Sequence, residues 1–392
     1  MPWMIRGALK ARSKRISIRF LTRREKPMQK AQKISTTQLA IVISSTIFGP
    51  YVLSFPKTIA ESADSAAPLM TVAGTCCAIF SLFVYTRISQ RFSNQTLFSY
   101  SQTVIGKIPA LLGNLLVFAC FFITSAMLFR QFGEVLSTVV FRRTPIEISI
   151  LMILILVALS CRRDTVKFTY IHLFYWPFVV LPFLFVIMMS MKSVHLLNWL
   201  PLLGNDSING LPALLSPASL YLGSFIITIM LPITEKPRHA MKAAMLGIAV
   251  SASLYLLLVL STIGIYGVQE TLQLLYPTLE MARSIAIGGD VIERLDAIFI
   301  IMWVINVYTT MFSNYYLTSL SLSHMLRIQD HRLATTLLIP ILFAVSLLPQ
   351  DQLQLYKFSR IADGAGYLFL TGYALLLWIV AVIRRKGGQQ HG

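Results

Sequence analysis

Long stretches of this chain carry no charge. Leu151 to Leu159, Phe178 to Met189 and Ser251 to Ile265 contain no Asp, Glu, Lys or Arg, and several apolar runs exceed the roughly 18 residues that a helix needs to cross a bilayer. Inside hydrocarbon every backbone N–H and C=O must find a partner within the protein, so such runs fold as helices. Of 392 residues, 56% are hydrophobic and only 13% charged, against about a quarter charged in an ordinary soluble domain. A large soluble domain and a disordered chain are both excluded. The expected fold class is an all-α polytopic membrane protein.

Charges and Pro/Gly breaks divide the apolar sequence into about ten spans: 37–60, 68–88, 109–130, 146–161, 169–191, 215–233, 240–266, 295–322, 333–349 and 364–384. The organisation read from this is a basic tail (1–33), a transmembrane domain (34–385) and a short second tail (386–392). Lys and Arg resist translocation and set orientation. With the N-terminus inside, the net charge of +18 divides into +21 on the inside and −3 on the outside, which places both termini in the cytoplasm. The basic balance thus records topology, and nucleic acid is not expected as a partner.

The first 33 residues hold 11 Lys or Arg and one acid, Glu25. They lack the apolar core of a secretory signal. Two readings stay open: a disordered polybasic arm lying on anionic lipid, or a native start at Met28. The four cysteines, Cys76, Cys77, Cys120 and Cys161, fall inside spans without metal-ligand spacing, so neither a disulfide framework nor a metal or other cofactor is expected. HExxH, GxSxG and P-loop motifs are lacking, and an enzyme is not expected.

Two spans carry helix breakers at corresponding places. Span one holds Phe48-Gly49-Pro50-Tyr51 with Pro56 beyond, and span six holds Tyr221-Leu222-Gly223-Ser224-Phe225 with Pro232 beyond. Proline removes a donor and collides with the preceding turn, while glycine lets the chain leave helical geometry. Broken helices five spans apart are the mark of an inverted-repeat transporter, whose ligand sits at the breaks; a pair of plain proline kinks is the alternative. Span eight is the most polar, and Trp303, Asn306, Thr310 and Asn314 recur at three- and four-residue spacing, so they share one inward face. The candidate ligand-binding residues are Gly49, Pro50, Tyr51, Tyr221, Gly223, Ser224, Phe225, Asn306 and Thr310, with Phe225 as an apolar wall. Thr124, Ser125, His172, Tyr175 and Trp176 are weaker candidates, and His172 reads as an interfacial histidine.

The residues also resemble a known family. Ile34-Ser35-Thr36-Thr37-Gln38, the Gly49 to Pro56 segment, Thr96-Leu97-Phe98-Ser99-Tyr100 with Ile105-Gly106-Lys107, and Asn198-Trp199-Leu200-Pro201 with Gly204 and Gly210 occur in the order found in the spore-germination permeases. The most specific piece is Tyr276-Pro277-Thr278-Leu279-Glu280-Met281-Ala282-Arg283, followed by Glu293-Arg294-Leu295-Asp296 and Trp303. These permeases are the B-type subunits of nutrient germinant receptors, within the amino acid, polyamine and organocation transporter superfamily. The resemblance implies a LeuT-like 5+5 inverted repeat with helices one and six broken. It further implies sensing of a small germinant, typically an amino acid, at the inner spore membrane, together with A-type and lipoprotein C-type subunits.

The sequence departs from the family pattern at both breaks. Pro50 and Tyr51 stand where a Gly-x-Gly is frequent, and Phe225 stands where a glutamate is frequent. The expected site therefore lacks a carboxylate for an ammonium group, which points to a smaller, more apolar or different germinant, or to a degenerate subunit. Glu280, Glu293 and Asp296 beside Arg283 and Arg294 are expected to form salt bridges that hold an outer lid, with docking of another subunit as the alternative. With the membrane interior expected to be almost free of charge, a germinant-sensing subunit is favoured over an ion-coupled amino-acid transporter and over a scaffold that binds nothing.

Overall fold

The structure is a computed structural model that describes residues 33–201, 210–285, 295–328 and 330–386. The basic tail up to residue 32, the second tail from 387 and the lid residues Glu293 and Arg294 lie outside the described residues. The backbone of Asp296 belongs to a helix, but its side chain also lies outside them.

Among the described residues the chain is all helix, apart from one isolated parallel bridge between Ile34 and Thr234. Seven helical segments are long and apolar enough to cross a membrane, and three shorter apolar helices (Thr36–Ile47, Ile146–Cys161 and His331–Ser346) accompany them. Their outward faces are greasy: Leu112, Met152, Leu156, Phe174, Leu181, Met188 and Ile383 are all exposed. Apolar surface on this scale is stable only against lipid. The chain is an integral membrane protein.

The first helix, α1 (Thr36–Ile47), starts at a capping box in which the Ser35 hydroxyl accepts from Gln38 N at 3.2 Å and Gln38 Oε1 accepts from Ser35 N at 2.8 Å. It ends where Gly49 and Pro50 stop the ladder. The chain then makes a 3-10 turn at Pro50–Leu53 and resumes as α2 (Phe55–Ala63). Asp64, at φ 51°, turns it into α3 (Ala67–Arg91). After α4 (Leu97–Ile105) come the long α5 (Lys107–Val139), α6 (Ile146–Cys161) and α7 (Thr165–Ser190).

Span six breaks more gradually. It comprises α8 (Gly210–Ser219), a 3-10 stretch at Leu220–Ile226, the single turn α9 (Ile227–Met230) and a second 3-10 turn at Leu231–Ile233 that contains Pro232. Next come α10 (Ala240–Gln273), broken near its end by Gly267 at φ 66°, and the short α11 (Pro277–Arg283). The chain finishes with α12 (Leu295–Met325), α13 (His331–Ser346) and α14 (Gln352–Ile383).

The two broken spans sit together inside the bundle. α1 packs against α7, α10, α12 and the Leu220–Ile226 stretch. The approach to α10 is close, since a Cβ added at Gly247 would lie 2.8 Å from the Ala40 carbonyl oxygen. At one end the broken spans are also tied through backbone: Ile34 N donates to Ile233 O and Glu235 N to Ile34 O, both at 2.9 Å.

Span ten differs from its sequence expectation. α14 begins at Gln352 instead of about 364 and runs straight through Lys357, Arg360 and Asp363. Lys357 and Arg360 point outward, while Asp363 is buried.

Candidate functional site

Breaking a helix inside a bundle frees carbonyl oxygens that must be satisfied elsewhere. At the first break they are met by side chains from other helices. Tyr255 OH donates to Ile47 O at 3.2 Å and Thr310 Oγ1 to Phe48 O at 3.1 Å. Asn306 Nδ2 approaches Gly49 O at 3.4 Å, and Thr278 Oγ1 donates to Val52 O at 2.7 Å. Each such bond contributes about 1 kcal/mol net, and leaving a buried carbonyl bare costs more. The irregular backbone is thus held by α10, α11 and α12 acting together.

A second polar bridge lies one turn earlier. His172 on α7 is fully buried; its Nδ1 meets Ser45 Oγ at 2.8 Å and its Nε2 meets Ser313 Oγ at 3.1 Å. Ser313 Oγ in turn lies 2.8 Å from Thr46 Oγ1. A neutral imidazole donates at one nitrogen and accepts at the other, so the ring joins α1 to α12. The ring is thus a buried, fully bonded crosslink within the bundle.

Between the breaks lies a small cavity, about 30 Å³ of space open to a water-sized sphere, lined by residues that include Thr46, Gly49, Pro50, Tyr51, Thr124, Leu222, Gly223, Thr310, Asn314 and Asp363. Its walls are close-fitting. A Cβ on Gly49 would come within 2.8 Å of Thr310 Cγ2, and one on Gly223 within 2.8 Å of both Thr46 Cγ2 and the Thr46 carbonyl oxygen. The space holds no more than a few water molecules. An amino acid enters only if the broken segments separate.

Among the sequence-derived candidates, Gly49, Pro50, Tyr51, Gly223 and Thr310 line this cavity, and Asn306 touches its Gly49 wall. Tyr221, Ser224 and Phe225 are buried nearby but are not among the lining residues. Phe225 is not a wall of the site: its ring meets Tyr85 edge-on at 5.2 Å and Phe121 at 5.5 Å, within a core aromatic cluster. Tyr221 OH bonds Thr75 Oγ1 at 2.9 Å. Trp303, Asn306, Thr310 and Asn314 are all buried on the inward face of α12. In the lid region Arg283 Nη1 meets Glu280 Oε1 at 2.7 Å, with both side chains more than a third exposed. Such a pair is worth less than about 1 kcal/mol.

The sequence reading missed Asp363. Its carboxylate accepts from Tyr51 OH at 2.5 Å and from Thr124 Oγ1 at 3.1 Å, and it lines the cavity. The expectation that no carboxylate stands at the breaks does not hold for this cavity. Asp363 lies eleven residues into α14, about 16 Å along the helix axis. A helical signal did exist: Leu355, Ser359, Asp363, Gly366 and Leu370 follow one another at three- or four-residue steps, and all are buried.

Residues 33–355 match the family model described as "Spore germination protein". The chain belongs to the spore germination permease family. It is 23% identical to spore germination protein YndE of Bacillus subtilis (strain 168) over 91% of its own length and 98% of that protein. It is likewise 23% identical to spore germination protein B2 of the same organism, over 92% of this chain and 99% of the relative. Against spore germination protein GerLB of Bacillus cereus the identity is 24%, covering 91% and 96%. The family match spans both breaks and the cavity between them, except for Asp363, which lies eight residues beyond its end.

Proposed function

We propose that this chain is the membrane-embedded, B-type subunit of a spore nutrient germinant receptor. It binds a small germinant, such as an amino acid, between broken spans one and six, and passes the resulting shape change to A-type and C-type partner subunits at the inner spore membrane. In this reading the ten apolar segments are ten spans in a LeuT-like 5+5 inverted repeat with both termini cytoplasmic.

The observation that carries the reading is the small cavity lined by residues of both breaks in a chain of this family. A ligand shifts a conformational balance only by binding one state better than the other. A cavity of about 30 Å³ in the closed arrangement supplies that difference, because the germinant fits only the separated one.

The test uses spores that depend on this chain for a germinant response. Photocrosslinking with a germinant panel labels residues of the two breaks, and Gly49→Leu shifts the germinant concentration dependence while protein levels stay normal. Unchanged responses in Gly49→Leu spores, at normal levels, refute the pocket.

One observation favours a second reading, an ion-coupled transporter. Coupling requires an ionisable or cation-binding group inside the bundle, and Asp363 is such a group. Concentrative uptake by the chain in proteoliposomes, driven by an ion gradient, separates transport from sensing.

A further inference from the structure

The cavity has a distinct electrostatic character. Among its lining residues Asp363 is the only charged one, and no Lys, Arg or His offsets it. The carboxylate already takes two hydroxyl donors, from Tyr51 and Thr124. Asn314 lines the same space and is 3% exposed. Its amide nitrogen is committed to Thr310 O at 2.9 Å, and its Oδ1 has no partner among the described residues. Leaving a buried amide oxygen without a donor is unfavourable. Asn314 Oδ1 and the Asp363 carboxylate are both oxygen ligands available to a cation in the same cavity.

We propose that the cavity binds a small monovalent cation of about the size of ammonium, held between the Asp363 carboxylate and Asn314 Oδ1. Size limits the ligand to a compact species, since the space open to a water-sized sphere is only about 30 Å³. Charge limits it to one unit, because a single carboxylate faces the space, and a divalent ion needs six or more oxygen ligands, commonly with several carboxylates. Two sources share this chemistry: a free ion such as potassium or ammonium, or the primary ammonium head of an amine germinant. The inference rests on reading this cavity as the germinant site and names the charge of what that site holds.

The test is thermal unfolding of the purified full-length chain in detergent, titrated with potassium, ammonium or methylammonium chloride against choline chloride at equal ionic strength. Choline is too large for the space and serves as the reference. The unfolding midpoint rises with the small cations and not with choline. A saturating effect of potassium identifies a free ion as the source, and an effect of methylammonium without one of potassium identifies an amine head.

Asp363→Asn abolishes the dependence, and Asn314→Leu raises the half-saturating concentration about tenfold or more. Equal midpoints in all salts, or a dependence that survives Asp363→Asn, overturn the proposal. If Asp363→Asn does not fold, Asn314→Leu decides: an unchanged half-saturating concentration overturns it. The readout needs neither partner subunits nor a germination response, so a flat titration removes the cation and leaves the receptor reading to the spore assay.

Discussion

The two break glycines differ in what they touch, and that difference yields a graded prediction. At Gly223 an added methyl group lies 2.8 Å from the Thr46 carbonyl oxygen and 3.3 Å from its carbonyl carbon, which are backbone atoms of α1. At Gly49 the three nearest atoms, at 2.8, 3.0 and 3.2 Å, all belong to the Thr310 side chain. A side chain can be removed or turned, whereas a backbone in a bonded helix cannot. Overpacking a close-fitting site costs about 1–3 kcal/mol, and if that penalty falls on the closed arrangement alone it changes the closed-to-open balance by roughly 5- to 150-fold.

Gly223→Ala is therefore expected to lower the unfolding midpoint of the purified chain and to lower the germinant concentration needed for a half-maximal response. Thr46→Ser removes Cγ2 but leaves the carbonyl, so it relieves Gly223→Ala only in part. Thr310→Ala removes two of the three clashing atoms at Gly49 at the cost of the bond to Phe48 O, so Gly49→Ala and Thr310→Ala together cost less than the sum of the two. A double-mutant cycle measures both couplings. If Thr46→Ser fully restores Gly223→Ala, or Thr310→Ala gives no relief at Gly49, the backbone-against-side-chain distinction is refuted.

Further outcomes follow from single contacts. Tyr255→Phe strips the Ile47 carbonyl of its donor at the break and is expected to destabilise the chain by about 1–3 kcal/mol, read as a lower unfolding midpoint. His172→Leu removes the ring's two bonds, to Ser45 on α1 and to Ser313 on α12, and leaves the direct Thr46–Ser313 contact, with a loss of similar size. By contrast, replacing either partner of the exposed Glu61–Arg360 pair, 2.8 Å apart and about half exposed, changes stability by less than about 1 kcal/mol, and less still in high salt. Single cysteines at Arg163 and Lys192, both exposed near opposite ends of α7, test the orientation. An impermeant maleimide is expected to label Lys192→Cys from outside and Arg163→Cys only after permeabilisation.

Both breaks were legible in the sequence because the residues that cause them act locally. Gly49-Pro50 and Pro232 alter the backbone wherever they stand, and hydrophobic runs locate the helices around them. The inward face of α12 was legible for a related reason, since four residues at helical spacing declare a face whatever surrounds it. Phe225 and Asp363 were not legible, because their roles depend on neighbours remote in sequence. Phe225 is directed toward Tyr85 and Phe121 by a stretch that is 3-10 rather than α-helical, and this changes the angle between successive side chains. Asp363 was assigned to a loop because Lys357 and Arg360 nearby resemble the charged edge of a span. In the fold α14 continues through all three, with the two bases turned outward and the acid turned in.

The position of Asp363 alters the balance between sensing and pumping. An interior free of charge has no handle for an ion gradient, and that absence favoured a sensor. With a carboxylate in the cavity, ion coupling becomes physically available, yet Tyr51 ties that carboxylate to the first break itself. A cation arriving at Asp363 competes with the Tyr51 hydroxyl for the same oxygen atoms, and so acts on the turn at Pro50–Leu53 whose movement would open the site. Charge at this position therefore couples to the conformation of the break in either reading. In the proposed readings, sensor and transporter differ in whether the separated state opens to both sides of the membrane in turn, and the bridge between Ile34 and Thr234 is one contact on which to test that difference. It ties the start of span one to the end of span six through backbone alone. A transporter that opened at this end would break it once per turnover, and a disulfide placed across Ile34 and Thr234 would then stop uptake but spare a sensor's response.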